Sequence, residues 1–171
     1  MKRKIIITLA ISVLLLSAVA GLANATSQTK KQQALTEQQK HIKMQVDDNV
    51  NQAFKDIIQS FGIDQSQYVQ IDLIKDLPEF SIGQGFIKDK KKVQSILLEV
   101  VNPNLGEVPI NSMLPLILIS NDGNEVIFGY KQADGNNVIT VNKCQDNKWI
   151  RNYRKIQKGE VPRSLESFKN S

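Results

Sequence analysis

Between residues 36 and 61 the apolar side chains Ile42, Val46, Val50, Ala53, Phe54, Ile57, Ile58 and Phe61 recur at steps of three and four, with Lys, Gln, Asp and Asn between them. That period places them on one face of a helix. The spacing predicts one long amphipathic helix, opened by a capping box of Thr36 and Gln39 and stopped at Gly62, where a left-handed residue ends the helix without steric cost. A helix of some 26 residues is about 39 Å long, enough to lie across a sheet. Its single apolar stripe calls for one partner layer.

The pattern then changes. Residues 68–74, YVQIDLI, alternate Val69, Ile71 and Leu73 with Gln70 and Asp72, the period of a half-buried strand, and Asp76-Leu77-Pro78 breaks it. Residues 80–88 read as an extended segment bent at Gly83-Gln84-Gly85. Residues 92–101, KVQSILLEVV, fit a helix face through Val93, Ile96, Leu97 and Val100, yet their β-branched content and the Asn102-Pro103-Asn104 that follows favour a strand. The expectation here is strand.

From Leu116 onward, Asp122, Asp134 and Asp146 stand twelve positions apart, each followed by Gly or Asn. Asp-Gly favours a type I′ turn, so the spacing predicts a meander of four short strands. Two-residue loops at 122–123 and 134–135 would pair Ile119 with Val126, Ile117 with Phe128, Tyr130 with Ile139 and Phe128 with Val141. One core face would then hold Ile117, Ile119, Val126, Phe128, Tyr130, Ile139 and Val141. At the third turn a three-residue loop, Asp146-Asn147-Lys148, would pair Val141 with Tyr153 and bury Trp149 and Tyr153. A two-residue loop would instead pair Cys144 with Trp149 and leave Trp149, Arg151 and Tyr153 as a cationic and aromatic strip on the outer face. The first buries more and is the expected register; the strip is the first candidate binding surface. Calcium is not expected at these turns, because each offers one carboxylate where a site needs six or more oxygens.

The fold class that follows is α+β: one long N-terminal amphipathic helix packed on a mostly antiparallel sheet of five to seven strands, ending in a four-stranded meander.

The first 25 residues belong to none of this. Lys2, Arg3 and Lys4 precede an apolar run from Ile5 to Ala23 and the small-x-small site Ala23-Asn24-Ala25, the layout of a secretory signal peptide cleaved after Ala25. An uncleaved N-terminal membrane anchor is the alternative, since about 19 apolar residues just span a bilayer. The polar residues 26–35 read as a flexible spacer, 36–160 as a single domain and 161–171 as a C-terminal tail. Export also changes the charge. Three of the 22 basic side chains lie in the leader, leaving 19 against 17 acidic ones. The basic balance therefore gives no ground for nucleic-acid binding, whose footprint is a clustered basic face. Abundant Lys, Ile and Asn suit a bacterial source with an AT-rich genome.

Candidate chemistry is sparse. Cys144 is the single cysteine, expected to be a small buried side chain, and His41 is the single histidine. HExxH, GxSxG and paired cysteines do not occur, so neither a metal nor a cofactor is expected. The Asp72, Asp76 and Glu79 cluster has the spacing of an ordinary strand end. The reading is a small exported, non-catalytic binding protein of the cell envelope or medium, of the inhibitor, immunity or wall-accessory type. Its partner would be a protein or a cell-wall polymer, with membrane contact only through an uncleaved N-terminus. The alternatives are a small-ligand binder with a pocket between helix and sheet, lined by Phe54, Phe61, Phe86 and Phe128, and a hydrolase of envelope substrates.

Overall fold

The computed structural model describes residues 37–163, apart from Ile74 and Leu114 and the side chains of residues 37–39 and Ile42. Thr36, the leader, the spacer and the tail from residue 164 lie outside the described residues.

The chain is α+β. Five antiparallel strands run in sequence order across one sheet: β1 (Tyr68–Ile71), β2 (Leu116–Ser120), β3 (Glu125–Lys131), β4 (Asn136–Gln145) and β5 (Lys148–Lys158). Helices cover both faces, so the sheet is the middle of three layers. Strands buried on both faces read as continuous apolar runs, which is why Leu116–Ile119 alternates with nothing.

On one face lies α1 (Glu37–Phe61), which buries only its last turns: Ala53, Ile57 and Ile58 are inside, while Lys40, His41, Lys43 and Met44 are exposed. Ile57 and Ile58 pack with Leu116, Leu118, Ile127, Ile139 and Val141, flanked by Phe54, Phe61 and Tyr68. The helix stops as the sequence requires. Gly62 sits at φ 62°, and the N–H groups of Gly62 and Ile63 return to the carbonyls of Gln59 and Ile58, satisfying orphan acceptors in a Schellman arrangement.

On the other face lie α2 (Leu77–Ser81) and a helical run made of α3 (Lys90–Ser95), a π-helical stretch (Ile96–Val101) and α4 (Asn102–Gly106). Two expectations are corrected here. Residues 80–88 are not an extended segment: Phe80 and Ser81 form the last turn of α2, Phe80 is buried, and only the glycine turn at Gly83 (φ 73°) was legible. Residues 92–101 are helix, not strand. Asp89 caps it by accepting from the N–H groups of Lys91 and Lys92, and Val93, Ile96, Val100 and Val101 form one buried face. Propensity lost to tertiary burial. They pack against Ile71, Ile117, Ile119, Val126, Phe128, Tyr130 and Val138.

The three Asp turns differ although their spacing is constant. Between β2 and β3 the loop is the four residues Asn121–Asn124, with Asp122 bonded to Ser120 Oγ (2.6 Å) and Asn124 N (3.0 Å). Those bonds, first from Ser120 and then from Asn124, hold the Asp122 carboxyl down at about 2. Four residues and two have the same parity, so Ile117 pairs with Phe128 and Ile119 with Val126 as expected. Between β3 and β4, Gln132 N donates to Asn136 O at 2.8 Å and leaves a three-residue loop with Gly135 at φ 88°. Hence Tyr130 faces Val138 and Phe128 faces Thr140, in place of the expected Ile139 and Val141. Ile139 and Val141 therefore belong to the α1 side, and the single expected core face divides into two.

Candidate functional site

β5 is the outermost strand, and its placement starts at the third turn. Asp146 and Asn147 both have positive φ (51° and 60°), which makes a two-residue type I′ loop. Gln145 therefore faces Lys148, and Cys144 faces Trp149. This is the register that the sequence argument disfavoured. The strand then slips by one: Asn142 pairs with Arg151, but Val141 pairs with Tyr153, leaving Asn152 as a bulge. Beyond it the favoured register holds. An unbroken hairpin admits only one of the two registers; the bulge lets the strand use both in succession.

The bulge divides the candidate strip. Trp149 and Arg151 lie on the α3 side, whereas Tyr153 lies on the α1 side. Trp149 is half-buried, with Nε1 donating to Ser95 Oγ at 3.0 Å. Arg151 donates to Glu107 Oε1 at 2.5 Å. The residue that joins Arg151 on that side is Arg154, which donates to Tyr130 Oη (2.7 Å) and lies 3.6 Å from Glu107 Oε2. Tyr153 lies under the Lys155 ammonium, 4.9 Å from its ring centroid. Sequence reasoning missed Arg154, Lys155 and Ile156, which an edge strand alternating across a bulge brings to the surface.

Along its eleven residues, KWIRNYRKIQK, β5 carries Lys148, Arg151, Arg154, Lys155 and Lys158 and no acid. It also exposes apolar side chains: Ile150 at 49%, Tyr153 at 39% and Ile156 at 58%. Its only strand neighbour among the described residues is β4. Among the described residues no strand pairs with its outer row of backbone N–H and C=O groups, the kind of edge to which another strand can add.

A second polar feature anchors the far end of β5. Lys131, only 2% exposed, ion-pairs with Asp56 of α1, and its ammonium also donates to Glu160 O at 2.7 Å. Asp56 Oδ2 accepts from Asn137 Nδ2 (3.0 Å) and Glu160 N (3.0 Å), while Asn137 Nδ2 also donates to Ser60 Oγ (2.8 Å). Burial pushes the Asp56 carboxyl up, but the bonds from Lys131, Asn137 and Glu160 and the charge of Lys131 outweigh it, and the group titrates below the usual carboxylate range. Beside this cluster, α1 and residues 160–163 border a polar cleft of about 570 Å³ that includes Asp48, Gln52 and Arg163.

The remaining sequence candidates stay apart. Phe54 and Phe61 pack on the α1 face, Phe128 is buried on the other, and Phe86 stacks on Phe80 with centroids 6.0 Å apart. These four rings do not line one pocket. Asp72 and Asp76 serve the chain turn: Asp76 Oδ2 accepts from Asp72 N at 2.9 Å, and Asp72 Oδ1 from Lys75 N at 3.1 Å. His41 is exposed, with Nε2 2.9 Å from Gln45 Nε2. Cys144 is a free thiol, half-buried rather than fully inside. Among the described residues no three His, Cys, Asp or Glu side chains converge as a metal site would require, and no helix is long and apolar enough to cross a membrane.

In comparisons with known proteins, no protein-family model, no curated protein and no solved structure matches the chain.

Proposed function

We propose that the protein is a small, exported, non-catalytic binding protein of the bacterial cell envelope or medium, and that β5 is the surface it binds with. The observation that carries this reading is the strand itself. Native proteins blunt edge strands by shortness, charge, proline or a bulge, and β5 uses charge and a bulge while remaining eleven residues long with Ile150, Tyr153 and Ile156 exposed. The basic leader, apolar run and Ala23-Asn24-Ala25 site support export, with cleavage after Ala25. The long amphipathic helix from Thr36 belongs to the same proposal.

A second reading, a small-ligand binder, moves from the four phenylalanines to the polar cleft beside Asp56 and Arg163.

Hydrogen exchange of the full chain, with and without solubilised wall and membrane fractions of its host, tests both. The expected result is added protection of amides in Tyr153–Lys158. Protection confined to Gln45–Asp56 and Glu160–Arg163 would transfer the function to the cleft. Unchanged exchange throughout with every fraction would overturn the binding reading.

A further inference from the structure

We infer that β5 takes an acidic polypeptide segment in extended conformation, which adds to the sheet as a sixth strand. This rests on the reading of β5 as the binding surface and names the partner's chemistry.

The geometry supplies both halves of such recognition. Main-chain groups of an open edge give affinity for any extended chain, and side chains alternating across the two faces select among them. Past the bulge, Tyr153–Lys158 runs six residues without interruption, a length of about 20 Å. Arg154 and Ile156 point to one face, Tyr153 and Lys155 to the other. A matching strand places carboxylates against Arg154, Lys155 and Lys158 and apolar side chains against Tyr153 and Ile156.

Charge decides between occupants. Glu107 is shared by Arg151 and Arg154. Lys158 donates to the Asp134 carbonyl and Lys155 rests on Tyr153. No carboxylate among the described residues pairs with Lys148, Lys155 or Lys158. A second copy of β5 would set five cations against five, and like charges opposite one another are destabilising. The chain's own spacer, TSQTKKQQAL, has Lys30 and Lys31 and no acid, so it is repelled as well. The lysines that block self-pairing therefore admit an acidic strand, specificity obtained by repelling the wrong partner. A polyanion or an anionic membrane would answer the charge alone and leave the edge unpaired.

The test uses the full chain and a fluorescein-labelled peptide, Thr-Glu-Thr-Val-Glu-Glu-Val-Thr, which in antiparallel register sets Glu against Lys158, Lys155 and Arg154 and Val against Ile156 and Tyr153, followed by anisotropy at low salt. A second peptide of the same sequence is N-methylated at alternate residues, which keeps its charge and removes the N–H groups of one edge. The expected result is binding of the first peptide and at least ten-fold weaker binding of the second. Lys155→Glu should weaken the first about ten-fold with an unchanged unfolding midpoint. Equal binding of both peptides would overturn strand addition in favour of a charged polymer. Tighter binding to phosphatidylglycerol vesicles, abolished by salt, would replace it with a membrane surface. No peptide binding, with Tyr153–Lys158 still protected by envelope fractions, would remove the acidic strand and leave the surface standing. Loss of both would remove the two together.

Discussion

β1 and β5 close opposite sides of the same sheet by opposite means. β1 is four residues long and fixed along its length: Asn121 N and Nδ2 donate to the carbonyls of Gln67 and Ser66, Tyr68 Oη bonds Glu125 Oε1 at 2.5 Å, and Ile71 is buried between sheet and helices. β5 is eleven residues long, mostly exposed, and fixed chiefly to β4 and at its end, where Glu160 meets Asp56 and Lys131. One edge is protected because it is too short to template another strand; the other is protected by what it would repel. That difference in length and exposure is what the proposed binding role of β5 rests on.

The largest expected effect tests the anchor. Asp56→Ala leaves the buried Lys131 ammonium without its carboxylate and should cost about 3–5 kcal/mol in urea unfolding, while freeing residues 159–163 to rapid exchange. Ile71→Ala, which opens a cavity under the short edge, should cost about 2–4 kcal/mol. A cost below that of an ordinary surface change would mean that β1 is not held as described. Tyr68→Phe should cost roughly 0.5–1.5 kcal/mol at neutral pH.

Tyr68 also predicts a pH dependence. Burial, and then the hydrogen bond and charge of Glu125, raise its hydroxyl well above the ordinary value of 10.0. The folded state therefore holds a proton that the unfolded chain releases above pH 10.0, and the associated stability is complete below that pH and lost as pH rises further. Stability of the parent should fall more steeply above pH 10.0 than that of Tyr68→Phe. Parallel curves would dismiss the Glu125 contact. The smallest effect belongs to β5. Ile156→Thr should change stability by no more than about 0.5 kcal/mol, and a loss above 2 kcal/mol would show that the long edge is structural after all.

Much of the α+β layout was legible because it follows from period and punctuation. Gly62 stopped α1 where expected, Tyr68–Ile71 alternated as a strand, and the Asp turns marked off the strands of the meander. What failed was phase. The three turns hold four, three and two residues where two, two and three were expected, and only the first keeps the expected parity. One residue more at Ala133–Gly135 moved Ile139 and Val141 to the other face. Val93, Ile96 and Val100 looked like strand because β-branched residues are common there, although their three- and four-residue steps already traced a helix face. In the candidate site, Trp149, Arg151 and Tyr153 were found as residues, but their common face was not, because nothing in KWIRNYRKIQK announces that Asn152 is extra. Nothing in the local sequence marks Lys131 as buried. Its burial depends on Asp56, 75 positions earlier, and on Glu160, 29 positions later, separations that no local pattern records.

That same triangle governs the order in which the molecule is completed during synthesis. The chain emerges N-terminus first, so Asp56 and Lys131 are made well before Glu160 and must wait for its amide and carbonyl. Until β5 has also emerged, β4 is the outer edge of the sheet. A chain ending before residue 160 therefore lacks the amide and the carbonyl that complete the Asp56 and Lys131 cluster.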